Sequence, residues 1–269
     1  MKELMKYYNI LGHIRSGFFG DVYAVSKGKH VGIRDYSKLP KYGGKNFDII
    51  MKVASNNKTA MHEVKMLYEV NKIGSTHFPF LLAHHKCDNV NFRGWRKQGI
   101  ALSHQDWTFV KKGKGLITFM ENAGIGMDLY VKTNNDPLNQ VVMIFQLLYA
   151  LYLLENAGIS HNDIFLPNIV SRPVNETNMT YKIRDQVLDI PILDGHVPVF
   201  VDFGQADFSQ KKNIIYKTDK TDKDMLLRAW QYESTSPEIQ RFARDLRIEQ
   251  LTTKNTEDFL LNYYNNYIA

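Results

Sequence analysis

Cysteine is almost absent from this chain: Cys87 is the only one in 269 residues. No internal disulfide can form and no Cys-based zinc scaffold exists, which argues against an oxidising compartment and for an intracellular address in cytoplasm or nucleus. Long hydrophobic runs are missing too. The most apolar stretch, Val141 to Leu154, is broken by Gln146 and reads as too short to span a bilayer, so no membrane partner is expected. Met1-Lys-Glu-Leu-Met-Lys-Tyr-Tyr lacks the apolar core and cleavage site of a secretory signal. Without export, Asn57-Lys-Thr, Asn175-Glu-Thr and Asn178-Met-Thr read as polar loop residues and not as glycosylation acceptors. No internal repeat and no low-complexity tract appears. Charge is only mildly one-signed: 34 Lys and Arg against 28 Asp and Glu leave +6. The lysines scatter (Lys111, Lys112, Lys114, Lys211, Lys212, Lys217, Lys220, Lys223) and do not line one helix face among aromatics. Nucleic acid is therefore not expected as the primary partner.

What is present is enough to fill a core, with 44% apolar and 12% aromatic residues. The first half reads as strands with one helix. Short β-rich runs cover Tyr8 to Ile14, Asp21 to Val25 and Phe47 to Val53, a plausible three-strand meander. Thr59 to Ile73 carries Met61, Val64, Met66, Leu67 and Val70 at roughly helical spacing before Gly74. Phe80 to His85 and Leu116 to Met120 are further strands, separated by a polar insert holding Trp95 and Trp107. The second half opens on Pro137 to Ala157, a helix apolar on a broad face and stopped by Gly158. A strand pair split by a long insert follows, then helical segments from Asp222 onward. The composition shifts near Asn122 to Gly126, where a lobe boundary is placed, with a nucleotide cleft expected between a β-rich and a helical lobe.

The buried helix leads into Gly158-Ile-Ser-His161-Asn162-Asp163-Ile-Phe-Leu-Pro-Asn168-Ile-Val, which sets a carboxylate and an amide five residues apart on one loop. Phosphoryl transfer needs that combination: a carboxylate to take the acceptor hydroxyl's proton, and an Asn carbonyl with a second carboxylate to hold metal against phosphate. Asp202, in Val199-Phe-Val-Asp-Phe-Gly, supplies the second carboxylate where an apolar strand ends and Gly204 lets the chain turn. Taken singly, each has a plainer reading, the His as a hydrogen-bonded core residue and the Asp as a turn former. Together and in order they point to chemistry.

These motifs resemble the eukaryotic-type protein kinase family, whose catalytic loop runs His-x-Asp-x-x-x-x-Asn and whose metal-binding turn reads Asp-Phe-Gly. The resemblance implies that Asp163 is the catalytic base, that Asn168 and Asp202 bind Mg2+ or Mn2+, and that His161 and Phe203 are buried packing partners. Ile14-Arg15-Ser16-Gly17-Phe18-Phe19-Gly20-Asp21-Val22-Tyr23 resembles the family's Gly-rich loop, with Arg15 in place of the first glycine; it implies ATP phosphates under Arg15, Ser16, Gly17, Gly20 and Val22. Lys52, in Asp48-Ile-Ile-Met-Lys-Val, resembles the strand lysine that grips the α and β phosphates, and Glu63 the helix glutamate that pairs with it. Glu69 competes for that role, but Leu67 and the downstream Phe78-Pro-Phe-Leu favour Glu63. Leu116 to Gly124 resembles the interlobe hinge, with Met120 behind the adenine pocket and the backbone of Glu121 and Ala123 reading the base.

The implied fold is α+β and bilobal, a single kinase-like domain over 1–269. Its β-rich N-lobe with one helix runs to about residue 121, the hinge covers about 121–125, and a shortened, mainly helical C-lobe covers about 126–269. The implied activity is ATP- and Mg-dependent phosphorylation of Ser or Thr on a protein substrate, and the compact style is similar to kinases encoded by large DNA viruses, which would place it in an infected host cell. Departures are specific. Asn162 stands where many members carry an Arg that answers a phosphorylated loop, which implies activity without that phosphorylation. Loops are long before Lys52, before Leu116 and before Asp202, and only 65 residues follow Gly204. Ser236-Pro237-Glu238 is similar to the family's Ala-Pro-Glu, but a helix start with Pro in its first turn is the favoured reading. If the helix from Asp222 supports the catalytic loop, the activation segment is short. Alternatives are a small-molecule kinase of the aminoglycoside or choline type, a pseudokinase scaffold, and a basic nucleic-acid module.

Overall fold

The computed structural model describes residues 8–17, 20–27, 41–42, 45–46, 49–55, 57–87, 115–134, 136–208, 221–253 and 255–269. The chain forms two compact units, Met1–Lys72 with Pro79–Asn122, and Ile73–Phe78 with Ala123–Ala269. It is mixed α+β, β-rich in its N-terminal region and helical in its C-terminal region.

In the first unit, strands β1 (Tyr8–Gly17), β2 (Gly20–Lys27), β5 (Ile49–Ser55), β6 (Leu81–Cys87) and β7 (Gly115–Glu121) form one antiparallel sheet in the order β1-β2-β5-β7-β6, with a small hairpin of β3 (Lys41–Tyr42) and β4 (Lys45–Asn46) between β2 and β5. Tyr23, Val25, Met51, Val53, Ile117 and Phe119 make the core, and Cys87 is buried among them. Period-two alternation sends Met51 and Val53 to one face of β5 and Lys52 to the other. Helix α1 (Lys58–Asn71) starts at Asn57, whose side chain accepts from Ala60 N at 2.9 Å. That cap is the local role of a residue that also fits a glycosylation pattern. The helix buries Ala60, Glu63, Val64, Leu67 and Val70 on one stripe, so a carboxylate rides on its apolar face.

The second unit is organised around α3 (Pro137–Asn156), preceded by β8 (Ile125–Gly126) and α2 (Met127–Thr133). Asp136 caps α3, Pro137 sits in its first turn, and Gly158 at φ 66° ends it after Ala157. At 20 residues and mean hydropathy 1.5, α3 is long and apolar enough to cross a membrane, which corrects the shorter span expected from Val141 to Leu154; 67% of its apolar window is buried within the fold. After β9 (Ile159–Ser160), a 3-10 turn (Leu166–Asn168) leads to β10 (Ile169–Pro173), which pairs antiparallel with β13 (His196–Phe200) and with β8. The expected insert between the paired strands is a hairpin, β11 (Asn178–Ile183) with β12 (Gln186–Pro191). The unit is mainly helical, with this hairpin added to the expected strand pair. A second 3-10 turn (Phe203–Gln205) leads to β14 (Asp207–Phe208), which pairs with β9. Helices α4 (Asp222–Glu233), α5 (Pro237–Thr252) and α6 (Thr256–Tyr267) close the chain. Ser236 caps α5 by accepting from Ile239 N, so Ser236-Pro237-Glu238 is a helix start.

Residues 73–78 are tied into this unit through buried polar contacts. Phe200 N donates to His77 O at 3.0 Å, and Arg172 donates to Thr76 O at 2.7 Å. The His77 ring is 2.8 Å from Pro198 O through Nδ1 and 3.0 Å from the Tyr181 hydroxyl through Nε2. A carbonyl can only accept, so Nδ1 carries the proton and Nε2 accepts from Tyr181. Burial lowers the His77 pKa to about 4 against the raising effect of the Pro198 bond, and the Arg172 charge lowers it further.

Candidate active site

In the first unit, Lys52 Nζ lies 2.7 Å from Glu63 Oε1, and both side chains are under a tenth exposed. Their meeting follows from the two periodicities above: β5 turns Lys52 away from the sheet core, and α1 carries Glu63 on its buried stripe. Glu69 instead pairs with Lys72 at 2.6 Å near the surface. Arg15, Ser16 and Gly17 lie in the backbone of β1 opposite Val22, Asp21 and Gly20, and the intervening Phe18 and Phe19 fall outside the described residues. Gly20 has φ 144°, and a Cβ there would overlap the carbonyl oxygen of Val53, so the close approach of β2 to β5 requires glycine. Val22 sits opposite Lys52. Met120 lies in β7 opposite Ile50 and Leu81. Glu121 is bound to Phe80 twice, its backbone N donating to Phe80 O at 3.0 Å and its Oε1 accepting from Phe80 N at 3.0 Å. Ala123, buried, is the first residue of this stretch that belongs to the second unit. The inserts before Lys52 and before Leu116, with Trp95 and Trp107, lie largely outside the described residues.

In the second unit the loop from β9 is held from below by α4. Asp222 Oδ2 accepts from His161 N at 2.6 Å and Oδ1 from Asn162 N at 2.9 Å. One carboxylate in the first turn of a helix thereby fixes two successive backbone groups of the loop, with charge-assisted bonds. The His161 ring is fully buried, 4.8 Å from the Phe203 ring and 5.6 Å from that of Phe200. Its Nε2 is 3.1 Å from Val201 O, which assigns the proton to that nitrogen. Phe203 is likewise fully buried and meets Phe78 edge-on at 6.1 Å. The loop and the turn are thus packed through aromatic rings.

Asn168, 1% exposed, donates from Nδ2 to Asp163 Oδ2 at 2.9 Å and to Asp163 O at 3.0 Å. Val201 N donates to Asn168 O at 2.9 Å, which sets Asn168 beside the residue that precedes Asp202. Asp202 has φ 64° and ψ 69°, a left-handed conformation uncommon for a non-glycine residue. Burial raises the Asp163 carboxyl above its ordinary range; His161 lowers it, the Asp202 charge raises it, and the Asn168 bond lowers it again. The two carboxylates are therefore within electrostatic reach of each other. With the Asn168 NH2 committed to Asp163, its Oδ1 is the amide atom left for another ligand, and amide and carboxylate oxygens of the kind Asn168 and Asp202 carry are the donor type magnesium and manganese take. Among the described residues no group of three or more His, Cys, Asp or Glu is arranged to hold a metal, so an ion at Asn168 and Asp202 would complete its shell from water and phosphate oxygens.

Sequence reasoning reached Asp163, Asn168, Asp202, Lys52 and Glu63 and named Asp222 only as a conditional support. It missed the side-chain role of Asn162, whose amide reaches Ser160 O and Gln205 O. The available signal was the residue type, since asparagine tolerates the left-handed backbone found there better than most. No protein-family model matches the chain, and no curated protein matches its sequence.

Proposed function

We propose that the chain is an ATP- and Mg-dependent kinase of protein-kinase-like fold that transfers the γ-phosphoryl group to Ser or Thr hydroxyls of a protein. The observation that carries this reading is the Asp163–Asn168 pair, bonded side chain to side chain on a loop anchored by Asp222, with Asp202 in electrostatic reach. Asp163 accepts the proton of the attacking hydroxyl, for which a carboxyl raised by burial is a better base than one free in water. Asn168 fixes the orientation of that carboxylate through Nδ2 and presents its own oxygen elsewhere. Lys52, kept charged and directed by Glu63, holds nucleotide phosphate oxygens. Asn168 and Asp202 would hold a magnesium ion, which would supply charge neutralisation on the phosphates. By the same resemblance Gly17, Gly20 and Val22 would cover the phosphates, and the backbone of Glu121 and Ala123 would read the adenine.

The test is transfer of labelled γ-phosphate to casein, to a basic protein and to small alcohols. Label on Ser or Thr of protein is the expected result, with Asp163→Ala slower by roughly 10²–10⁴-fold. Label on small alcohols alone would assign a small-molecule kinase, and Asp163→Ala with unchanged turnover would refute the role of that residue.

A further inference from the structure

Asn162 has φ 63°, and with Asp202 at φ 64° it is one of three non-glycine residues in the left-handed region among the described residues. These two stand at the starts of the two segments that carry the carboxylates. The unusual backbone at Asn162 has a specific result. Its N–H points to Asp222 Oδ1, while its side-chain Nδ2 turns back to donate to Ser160 O at 3.4 Å and Gln205 O at 3.1 Å. Gln205 ends the turn that begins at Asp202, and two residues later the chain is paired again with the same loop, Asp207 opposite Ser160 and Phe208 opposite Ile159. Asn162 is the side chain that joins the exit of the turn to the loop bearing Asp163, one step before the strand pair begins. An amide suits this place because it donates two hydrogens to two carbonyls, which a carboxylate of the same size cannot do.

We propose that Asn162 is a positioning residue: its amide clamps the exit of the Asp202–Gln205 turn to the loop that carries Asp163, holding the two carboxylates in register. The catalytic consequence rests on the phosphotransfer reading above; the clamp itself does not. Two variants separate the amide from the backbone strain. Asn162→Gly adopts the left-handed conformation freely and loses the amide, while Asn162→Asp keeps size and backbone tolerance but turns acceptors toward two carbonyls. Amide hydrogen exchange is measured on the full chain. The expected result is exchange at residues 205–208 faster by tenfold or more in Asn162→Gly and faster still in Asn162→Asp, with the α3 amides of residues 145–151 unchanged. Kinetically, kcat falls tenfold or more while KM for ATP moves less than twofold. If Asn162 served only to occupy a strained position, Asn162→Gly would match or exceed wild type. Wild-type protection at 205–208 in that variant overturns the clamp. A wild-type protein that transfers phosphate to no acceptor refutes the kinase reading instead, and the exchange data still decide the clamp.

Discussion

Replacing Asp222 gives a sharp test of how the loop carrying Asp163 is held. The carboxylate serves two backbone donors with separate oxygens, at 2.6 and 2.9 Å, and it is half-buried. A hydrogen bond to a charged group contributes about 1.5–3 kcal/mol, so losing both costs about 3–6 kcal/mol. The lower end applies, because Asp222 and Asn162 line a pocket open to solvent and water can reach the freed N–H groups. About 3 kcal/mol corresponds to a fall in melting temperature of roughly 6–12 °C for a chain of this size. The informative variant is Asp222→Asn. An amide of nearly the same volume has only one acceptor oxygen, and its NH2 would meet the second backbone donor, so Asp222→Asn should lose nearly as much as Asp222→Ala. Urea unfolding followed by circular dichroism measures the loss, and amide exchange at His161 and Asn162 localises it. An Asp222→Asn protein with wild-type stability and wild-type protection at both amides would show that the carboxylate is not the anchor.

Three further outcomes follow from other buried contacts. Lys52→Met removes the Lys52 ion pair from buried Glu63 and should destabilise by about 3 kcal/mol, whereas Lys52→Met with Glu63→Leu should recover most of that loss while nucleotide binding stays abolished; urea midpoints and nucleotide titration check both halves. His77 titrates at about 4 in the folded chain against 6.5 unfolded, so the unfolded state binds more protons between those values. Its contribution is complete above pH 6.5 and is lost as pH falls toward 4, on the order of 2 kcal/mol between pH 7 and 4.5, and a His77→Leu protein should show a correspondingly flatter dependence of unfolding free energy on pH. Gly124→Ala should fail to fold or lose several kcal/mol, because φ is 122° and a Cβ would overlap Ser171 O, while Gly74→Ala, with φ 70° and open space around it, should cost only about 1–2 kcal/mol in thermal unfolding.

Much of this architecture was legible because it is written in local periodicity and in punctuation by Gly, Pro and capping residues. Apolar spacing with Pro137 and Gly158 delimits α3 to within a residue, and Ser236-Pro237 marks the start of α5. The helix α2 and the short strands β8, β9 and β14 were not legible, since elements of two to seven residues carry too few periods to stand out. The apolar run inside α3 understated the helix because flanking polar residues such as Asn139 and Gln140 are also buried.

By itself, the sequence determined the residue types and the order of the candidate site: His161, Asp163, Asn168 and Asp202 on successive loops and turns, and Lys52 and Glu63 on a strand and a helix. Only the tertiary structure decided their partners. Glu63 and not Glu69 meets Lys52, because helix phase is set by what the apolar stripe packs against. Asp222, sixty residues away in the chain, is half-buried beneath the loop, and Asn162 reaches back to Gln205 because its backbone is left-handed. Contacts between distant segments are fixed by packing and by the need to satisfy buried donors, and no local pattern encodes them.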